Sequence, residues 1–312
     1  MRIPVDSVRI IEVGPRDGLQ NEKAVVPAET KIAYITALSD AGLRVIEAGA
    51  FVSPKWVPQM ADTAEVYREI PKDPGVDYPV LVPNMKGLER AIEAGVQSIA
   101  IFTAASDTFN KRNINMSIEE SFANYVPVAA RARQEGMRVR GYISTAFGCP
   151  YEGDVPPEKV LEVSARLLDL GCYEVSVGDT IGVGTPMQVQ GVIGMLLQVI
   201  PASRLAMHFH DTRGTALANA LASLEMGIAA FDGSSGGLGG CPYAPGASGN
   251  LATEDLVYML DKMGIETGVN LDRLVAASSI VAPWLDHPLP GRYLQACTRG
   301  TLPVGSKSTA VQ

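Results

Sequence analysis

The 312-residue chain has little of what marks a secreted or disulfide-stabilised protein. Its four cysteines, Cys149, Cys172, Cys241 and Cys297, are too few and too scattered for a disulfide framework, and no pair has the spacing of a zinc knuckle. Met1–Asp6 runs directly into an apolar segment, so we expect no signal or transit peptide. These absences together predict a cytoplasmic protein.

The chain also lacks basic runs and long apolar stretches. Its net charge is −8 and no Lys/Arg-rich run interrupts the acidic balance, which argues against binding to nucleic acid or to an anionic membrane surface. The most apolar long segment, 189–200, contains Gln190 and Gln198 and is far shorter than the roughly 20 residues of a membrane span. A small anionic ligand stays compatible with the composition, because a local pocket can be positive on an acidic protein.

What the chain does contain is typical of an α/β protein: 46% of its residues are hydrophobic and 19% are charged, while only 6% are aromatic. Short apolar runs alternate with helix-periodic segments, which is the pattern of parallel strands joined by helices. Eight such units are present. The predicted strands are 8–13, 45–48, 79–82, 98–102, 139–144, 174–177, 205–209 and 229–232.

Eight repeated units favour a closed (β/α)₈ TIM barrel over an open sheet, because the turn after the first strand is not a phosphate-binding glycine fingerprint. Residues 270–284 are predicted to form an additional C-terminal helix. We therefore expect a barrel domain over residues 1–287 that includes this helical extension, followed by an irregular tail over residues 288–312.

The turn after the first strand carries Arg16 and Asp17 side by side. Catalytic groups of barrel enzymes lie where strands end. An adjacent Arg and Asp in a turn more often form a solvated ion pair than a functional site. Matching groups in later segments are therefore needed to assign these two residues to a site. We expect the two side chains to diverge, with only Asp17 reaching a metal ion.

Two of the three histidines, His208 and His210, stand two residues apart at the end of the seventh predicted strand. Residues at this spacing point to the same side of a strand, so both imidazoles can face one ion. Asp17 is well placed to add an anionic ligand, because only one strand separates the first and seventh strands of a barrel. Mixed nitrogen and oxygen ligands favour Mg²⁺ or Mn²⁺, with Zn²⁺, Co²⁺ or Fe²⁺ as alternatives.

Two carboxylates lie in or beside other predicted strands. Glu47 interrupts an apolar strand, where a buried charge is costly unless it is paired, and Arg16 is its obvious partner. This pair could be purely structural. Asp179 follows a strand and could either cap the next turn near Thr180 or reach a metal-bound water or the substrate.

The segment 236–250 is exceptionally rich in glycine, which is favoured where a chain bends unusually, approaches a ligand closely or moves. Cys241 in this segment is a candidate acid, base or nucleophile. Asn250 could cap the following helix, or its amide oxygen could complete the metal shell.

With these residues assembled, the sequence resembles the 3-hydroxy-3-methylglutaryl-CoA (HMG-CoA) lyases, part of a metal-dependent group of TIM-barrel lyases and condensing enzymes that includes isopropylmalate synthases. The resemblance covers Val8 to about Leu271. The segments that carry it are 12–23, 51–58, 148–151, 178–182, 208–212 and 237–250.

The resemblance implies a metal site of Asp17, His208, His210 and Asn250, with Arg16 stabilising the departing enolate. It implies proton transfer by Cys241, with support from Glu47 and Asp179. We expect Arg16, Gln20 and Ser176 to bind the substrate, an acyl-CoA. The implied reaction is retro-Claisen cleavage of HMG-CoA to acetyl-CoA and acetoacetate, by a homo-oligomer of two or more subunits.

Some positions depart from the pattern expected of close relatives. They are the small residues 48–50, Thr145, and Arg213, which could be an outward salt-bridge residue or could add positive charge at the rim. These departures leave open a larger 3-hydroxy-3-alkylglutaryl-CoA as substrate. A condensing acyltransferase or aldolase of the same fold is a second alternative, and a non-catalytic acyl-CoA-binding protein is a third.

Overall fold

The computed structural model describes residues 3–240 and 249–298, and its strands all run parallel in one curved sheet. All eight strand segments predicted from the apolar runs are present. The strands are β1 (Arg9–Glu12), β2 (Val45–Ile46), β3 (Gly49–Ala50), β4 (Val80–Leu81), β5 (Ser98–Ala104), β6 (Arg138–Ser144), β7 (Glu174–Asp179), β8 (Leu205–Phe209) and β9 (Ala230–Gly233).

Of the second predicted strand, 45–48, only Val45–Ile46 is a strand (β2); a further strand, β3, follows it after a break, and this break closes the barrel. β2 pairs with β1, whereas β3 pairs with β4, so one short segment of chain joins the two ends of the strand order. At the break, the Glu47 N–H donates to the Glu12 carbonyl and the next N–H, of Ala48, donates to the Pro79 carbonyl, each at 2.9 Å. The expected eight-stranded TIM barrel is therefore confirmed.

Helices connect most successive strands, and the helices Pro157–Asp169, Pro186–Leu196 and Ala216–Glu225 pack against one another in chain order. Ser117 begins a helix with a capping box, in which Ser117 and Glu120 bond each other's backbone N–H groups. The helices are α1 (Ala28–Asp40), α2 (Thr63–Glu69), α3 (Met85–Glu93), α4 (Asp107–Ile114), α5 (Ile118–Gln134), α6 (Pro157–Asp169), α7 (Pro186–Leu196), α8 (Ala216–Glu225), α9 (Thr253–Lys262), α10 (Leu271–Val281) and α11 (Arg292–Thr298).

The C-terminal extension differs in part from its prediction. The predicted helix over 270–284 is α10, capped by the Asn270 side chain and continued by a short 3₁₀ turn. The segment after residue 287 is not wholly irregular, because α11 occupies Arg292–Thr298. The Asp255 carboxylate stabilises the start of this helix by accepting the N–H groups of Arg292 and Tyr293. The division at residue 287 stays a prediction.

No helix within residues 3–240 and 249–298 is long and apolar enough to cross a membrane.

Candidate active site

Arg16 and Asp17 lie in a tight turn that follows β1 directly. Gly14–Gly18 form one turn of π-helix, in which the Val13 carbonyl accepts the N–H groups of Arg16, Asp17 and Gly18. The buried Glu12 carboxylate accepts the Gly14 N–H at 2.9 Å and so fixes the start of the turn. The two charged side chains are thereby held at the end of the barrel where the strands terminate.

The three predicted anionic and imidazole ligands come together. One donor atom from each of Asp17, His208 and His210 lies within 4.8 Å of the others, and the two histidine Nε2 atoms are 3.1 Å apart. Burial, helped by His208, lowers the pKa of His210 to about 4, so its ring is neutral at pH 7. Burial opposes the charge on Asp17, but Arg16 and the two histidines outweigh it and lower the pKa of that carboxyl.

Asn250 joins this cluster through its side chain. A backbone bridge pairs Asn250 with His210, and the Asn250 Nδ2 donates to Asp17 Oδ2 at 2.9 Å and to the Leu238 carbonyl at 3.0 Å. The amide oxygen, Asn250 Oδ1, is buried and has no hydrogen-bond partner among the described residues. A carboxylate and two imidazole nitrogens are donors that suit a divalent cation, and ligation by the Asn250 amide oxygen stays a prediction.

Arg16 pairs with Glu47 through a 2.6 Å hydrogen bond from its Nε to Glu47 Oε2. Burial opposes the charge on Arg16, but Glu47 and Asp17 outweigh it and raise its pKa further, so the guanidinium stays charged. The expectation that Arg16 and Asp17 diverge is wrong, because Arg16 Nη1 donates to Asp17 Oδ1 at 2.9 Å. The turn is tight enough to let one arginine contact both carboxylates.

Beneath the cluster lies a buried polar network that the sequence reading missed. The Asp232 carboxylate accepts hydrogen bonds from Arg140 Nη2 and from Ser176 Oγ, and its Oδ2 lies 3.1 Å from His208 Nδ1. Burial would raise the pKa of Asp232, but Arg140 and His208 outweigh it and hold the pKa far below its ordinary value. Asp232 ends an apolar run, as Glu47 interrupts one, and that shared pattern was the available signal.

The cluster faces a cavity of about 430 Å³. Arg16, Gln20 and Ser176, the three predicted substrate-binding residues, all line it. Tyr142 also lines the cavity, and its ring lies 5.6 Å from the Arg16 guanidinium. The sequence did not single out this residue. Its hydroxyl is buried with no partner in the described structure, so it is available to a ligand.

Asp179, a predicted catalytic residue, is not among the described residues that line this cavity. Asp179 Oδ1 and Oδ2 accept the backbone N–H groups of Val183 and Gly184, so the carboxylate is engaged in the turn, which was one of the two alternatives. Its catalytic role stays a prediction. Cys241 lies outside the described residues, and Gly240 immediately before it lines the cavity.

Arg213 makes no salt bridge with any residue that the structure describes, although a salt bridge was one alternative for it. Its Nη1 instead donates to the carbonyls of Ile181 and Gly182, at 2.9 and 3.0 Å.

Comparison with known proteins agrees with this geometry. A sequence model of the HMGL-like family matches residues 7–281. The chain belongs to the HMGL-like family. The chain is 56% identical to the mitochondrial hydroxymethylglutaryl-CoA lyase of Rattus norvegicus, over 93% of this chain and 89% of that protein. It is 53% identical to the cytoplasmic 3-hydroxy-3-methylglutaryl-CoA lyase of the same species, over 95% of this chain and 86% of the relative.

Solved structures of this family have the same fold. The hydroxymethylglutaryl-CoA lyase of Pseudomonas aeruginosa superimposes with a TM-score of 0.93 at 52% identity, covering 95% of this chain and 99% of that one. An HMG-CoA lyase of Acinetobacter baumannii, solved with coenzyme A and 3-methylmalate, gives a TM-score of 0.89 at 40% identity, with 95% and 97% covered.

Proposed function

We propose that this member of the HMGL-like family is an HMG-CoA lyase that cleaves 3-hydroxy-3-methylglutaryl-CoA to acetyl-CoA and acetoacetate. The observation that carries the proposal is that the cluster of Asp17, His208 and His210 faces the same cavity as the Arg16 guanidinium. Oxygen chelation and a fixed positive charge are the two requirements of a cleavage that releases an enolate. The substantial identity to named lyases supports it.

Asp17, His208, His210 and Asn250 would hold the cation, for which we propose Mg²⁺ or Mn²⁺. When bound, a divalent cation polarises and acidifies substrate oxygen atoms as a Lewis acid. His210 suits this role because its ring stays neutral, and Asp17 suits it because its carboxyl is ionised.

The residues of the chain divide the remaining work. Arg16 places a permanent positive charge at the cavity wall, where it would stabilise the enolate of acetyl-CoA as the carbon–carbon bond breaks. Glu47 holds that guanidinium in place from below. Gln20, Ser176 and the free Tyr142 hydroxyl would bind the acyl-CoA. We retain Cys241 as the proposed group for proton transfer to or from the substrate, with Asp179 in support.

The alternative of a larger 3-alkyl substrate gains nothing from the structure. The small residues Ala48 and Ala50 are buried, and neither is among the described residues that line the cavity. We therefore propose HMG-CoA, whose 3-alkyl group is methyl, as the substrate. We also propose that the protein is a homo-oligomer located in the cytoplasm.

The test is an acetoacetate assay with HMG-CoA and either Mg²⁺ or Mn²⁺. We expect turnover by the parent protein and loss of both Mn²⁺ binding and turnover in His208→Ala and Asp17→Asn. His287→Ala is the matched control for turnover, because His287 does not line this cavity and lies instead with Glu22 and Asp286 in a second group that could hold a cation. Turnover of a longer 3-alkyl thioester without turnover of HMG-CoA would contradict the proposed substrate, and intact turnover in His208→Ala would contradict the cation site.

A further inference from the structure

The two histidines of the cluster differ in what lies behind them. His208 Nδ1 is 3.1 Å from Asp232 Oδ2, whereas His210 Nδ1 is buried with no partner among the described residues. We propose that Asp232 is a positioning residue that holds the proton of His208 on Nδ1 and thereby leaves the Nε2 lone pair free for the cation. The inference rests on the proposed cation site, but its tests do not depend on acyl-CoA turnover.

The backbone brings these two side chains together. His208 on β8 and Asp232 on β9 are paired in register, and parallel neighbours of this kind point to the same face of the sheet. Asp232 is 2% exposed, so water does not compete for its carboxylate. The contact is therefore built into the barrel wall and does not depend on a loop.

The other partners of Asp232 make it an acceptor only. Its Oδ1 accepts from Arg140 Nη2 at 2.7 Å, and its Oδ2 accepts from Ser176 Oγ at the same distance. An ionised carboxylate has no proton to donate. If His208 carried its proton on Nε2, two lone pairs would face each other across the 3.1 Å contact, so the Nδ1–H tautomer is favoured.

Asp232 acts through His208 and not on a substrate. Within the described part of the chain, neither Asp232 nor Arg140 lines the cavity, whereas His208 does. Arg140 is also fully buried and shares its charge with Glu174, which its Nε contacts at 2.8 Å. The carboxylate behind a ligating histidine is known to orient the ring and raise its basicity.

The first test reads the tautomer directly in the wild-type chain. Only three histidines are present, so ¹⁵N-histidine labelling gives three ring systems, which His210→Ala and His287→Ala would assign. In the metal-free protein at alkaline pH, we expect His208 to carry its proton on Nδ1. A predominant Nε2–H form of His208 would overturn the proposal.

The second test compares two buried carboxylates that share Arg140. Asp232→Asn replaces the ionised acceptor beside His208 with a neutral amide that can also donate, whereas Glu174→Gln removes a charge from the same arginine without touching that histidine. Mn²⁺ affinity, measured from the electron paramagnetic resonance of the free ion, should fall about 10- to 100-fold in Asp232→Asn. It should stay close to the parent value in Glu174→Gln. Equal losses in the two variants would overturn the proposal.

Ser176→Ala keeps the test decisive if Asp232→Asn does not fold. It removes one hydrogen bond to Asp232 Oδ2 and leaves the contact with His208, so we expect a few-fold loss of Mn²⁺ affinity at most and an unchanged His208 tautomer. Conversion of the tautomer in Ser176→Ala would show that Asp232 does not set it. If HMG-CoA is not cleaved while these results hold, the proposed function fails and the role of Asp232 stands.

Discussion

Two groups of fully buried carboxylates in this barrel have opposite electrostatic character. Asp232 lies against Arg140 and His208, and these two neighbours hold its pKa well below the ordinary value in spite of burial. Glu12 and Glu254 both bond the turn at Ser235–Gly237. Burial raises the pKa of Glu12 to about 8 and that of Glu254 to about 7. Burial is common to both groups, so the difference in pKa comes from the residues that contact each carboxylate.

The partners of Glu12 and Glu254 are neutral. Glu12 accepts the backbone N–H groups of Gly14 and Ser235 and the hydroxyl of Thr253. Glu254 accepts the Gly236 N–H and the Ser278 hydroxyl. Hydrogen bonds to neutral donors lower a carboxyl pKa less than a cation does, so burial dominates. These two residues therefore join turns together, whereas Asp232 lies against His208, a proposed metal ligand.

The largest loss of stability should come from removing Arg140, the positive charge beside Asp232. Arg140→Met would leave Glu174 and Asp232 buried with incomplete compensation, and we expect the free energy of unfolding to fall by about 3–5 kcal/mol. Urea denaturation measures it. Arg138→Met is the control, because Arg138 is a half-exposed partner of Asp77. Its removal should lower the free energy of unfolding by well under about 3 kcal/mol. Equal losses in both variants would contradict the comparison.

The second group should make stability fall as the pH rises. The pKa of Glu12 is about 8 in the folded protein and near 4.5 when unfolded, so the folded state keeps a proton that the unfolded state has released. Its contribution is complete below about pH 4.5 and is lost as the pH rises through 8. The expected slope is about 1 kcal/mol per pH unit between these limits.

This slope can be isolated with Glu12→Gln, which cannot titrate. Urea midpoints measured from pH 5 to pH 8 should fall less steeply in the variant than in the parent. Parallel profiles would mean that Glu12 keeps an ordinary pKa and that the two groups of carboxylates do not differ.

A smaller effect should follow from removing one neutral donor of the second group. Ser278→Ala leaves Glu254 Oε1 without the hydroxyl that bonds it, and we expect a loss of about 1–2 kcal/mol in the free energy of unfolding. The adjacent Ser279→Ala is the matched control, since the exposed Ser279 hydroxyl bonds only its own helix at Val275. A control that loses as much stability as Ser278→Ala would contradict this role.

The smallest effect should come from an ion pair in water. Lys23 Nζ lies 2.9 Å from Asp286 Oδ2, a distance like those around Arg140, but both side chains are exposed. Solvent and salt screen such pairs. Lys23→Ala should leave the urea midpoint unchanged, and a clear loss would show that exposure does not separate this pair from the buried network.

The sequence was sufficient to locate the strands and most of the candidate cation site. The apolar runs identify all eight strand segments, and the two-residue spacing of His208 and His210 predicts their shared direction. The break at Glu47 was not predictable, because a short apolar run does not reveal that the residues before the break pair with β1 and those after it with β4. The Arg16–Asp17 contact was missed because it depends on side-chain conformation inside the turn.

Asp232 and Tyr142 were missed for a different reason. Arg140 and Tyr142 have the same two-residue spacing as the histidines, and Asp232 is a charge at the end of an apolar strand, but each pattern is also common in surface residues. Only the pairing of β6, β7, β8 and β9 as neighbours in the sheet shows that these polar groups lie close together.

The pairing of β1 with β9 also has a consequence for the order of events during folding. It joins Arg9–Glu12 to Ala230–Gly233, from opposite ends of the chain, and contacts so distant in sequence form slowly. Asp17 emerges early in synthesis, whereas its companions at 208, 210 and 250 emerge late. The complete set of proposed ligands is therefore brought together only after β1 has paired with β9, so we expect a nascent chain to lack the proposed cation site.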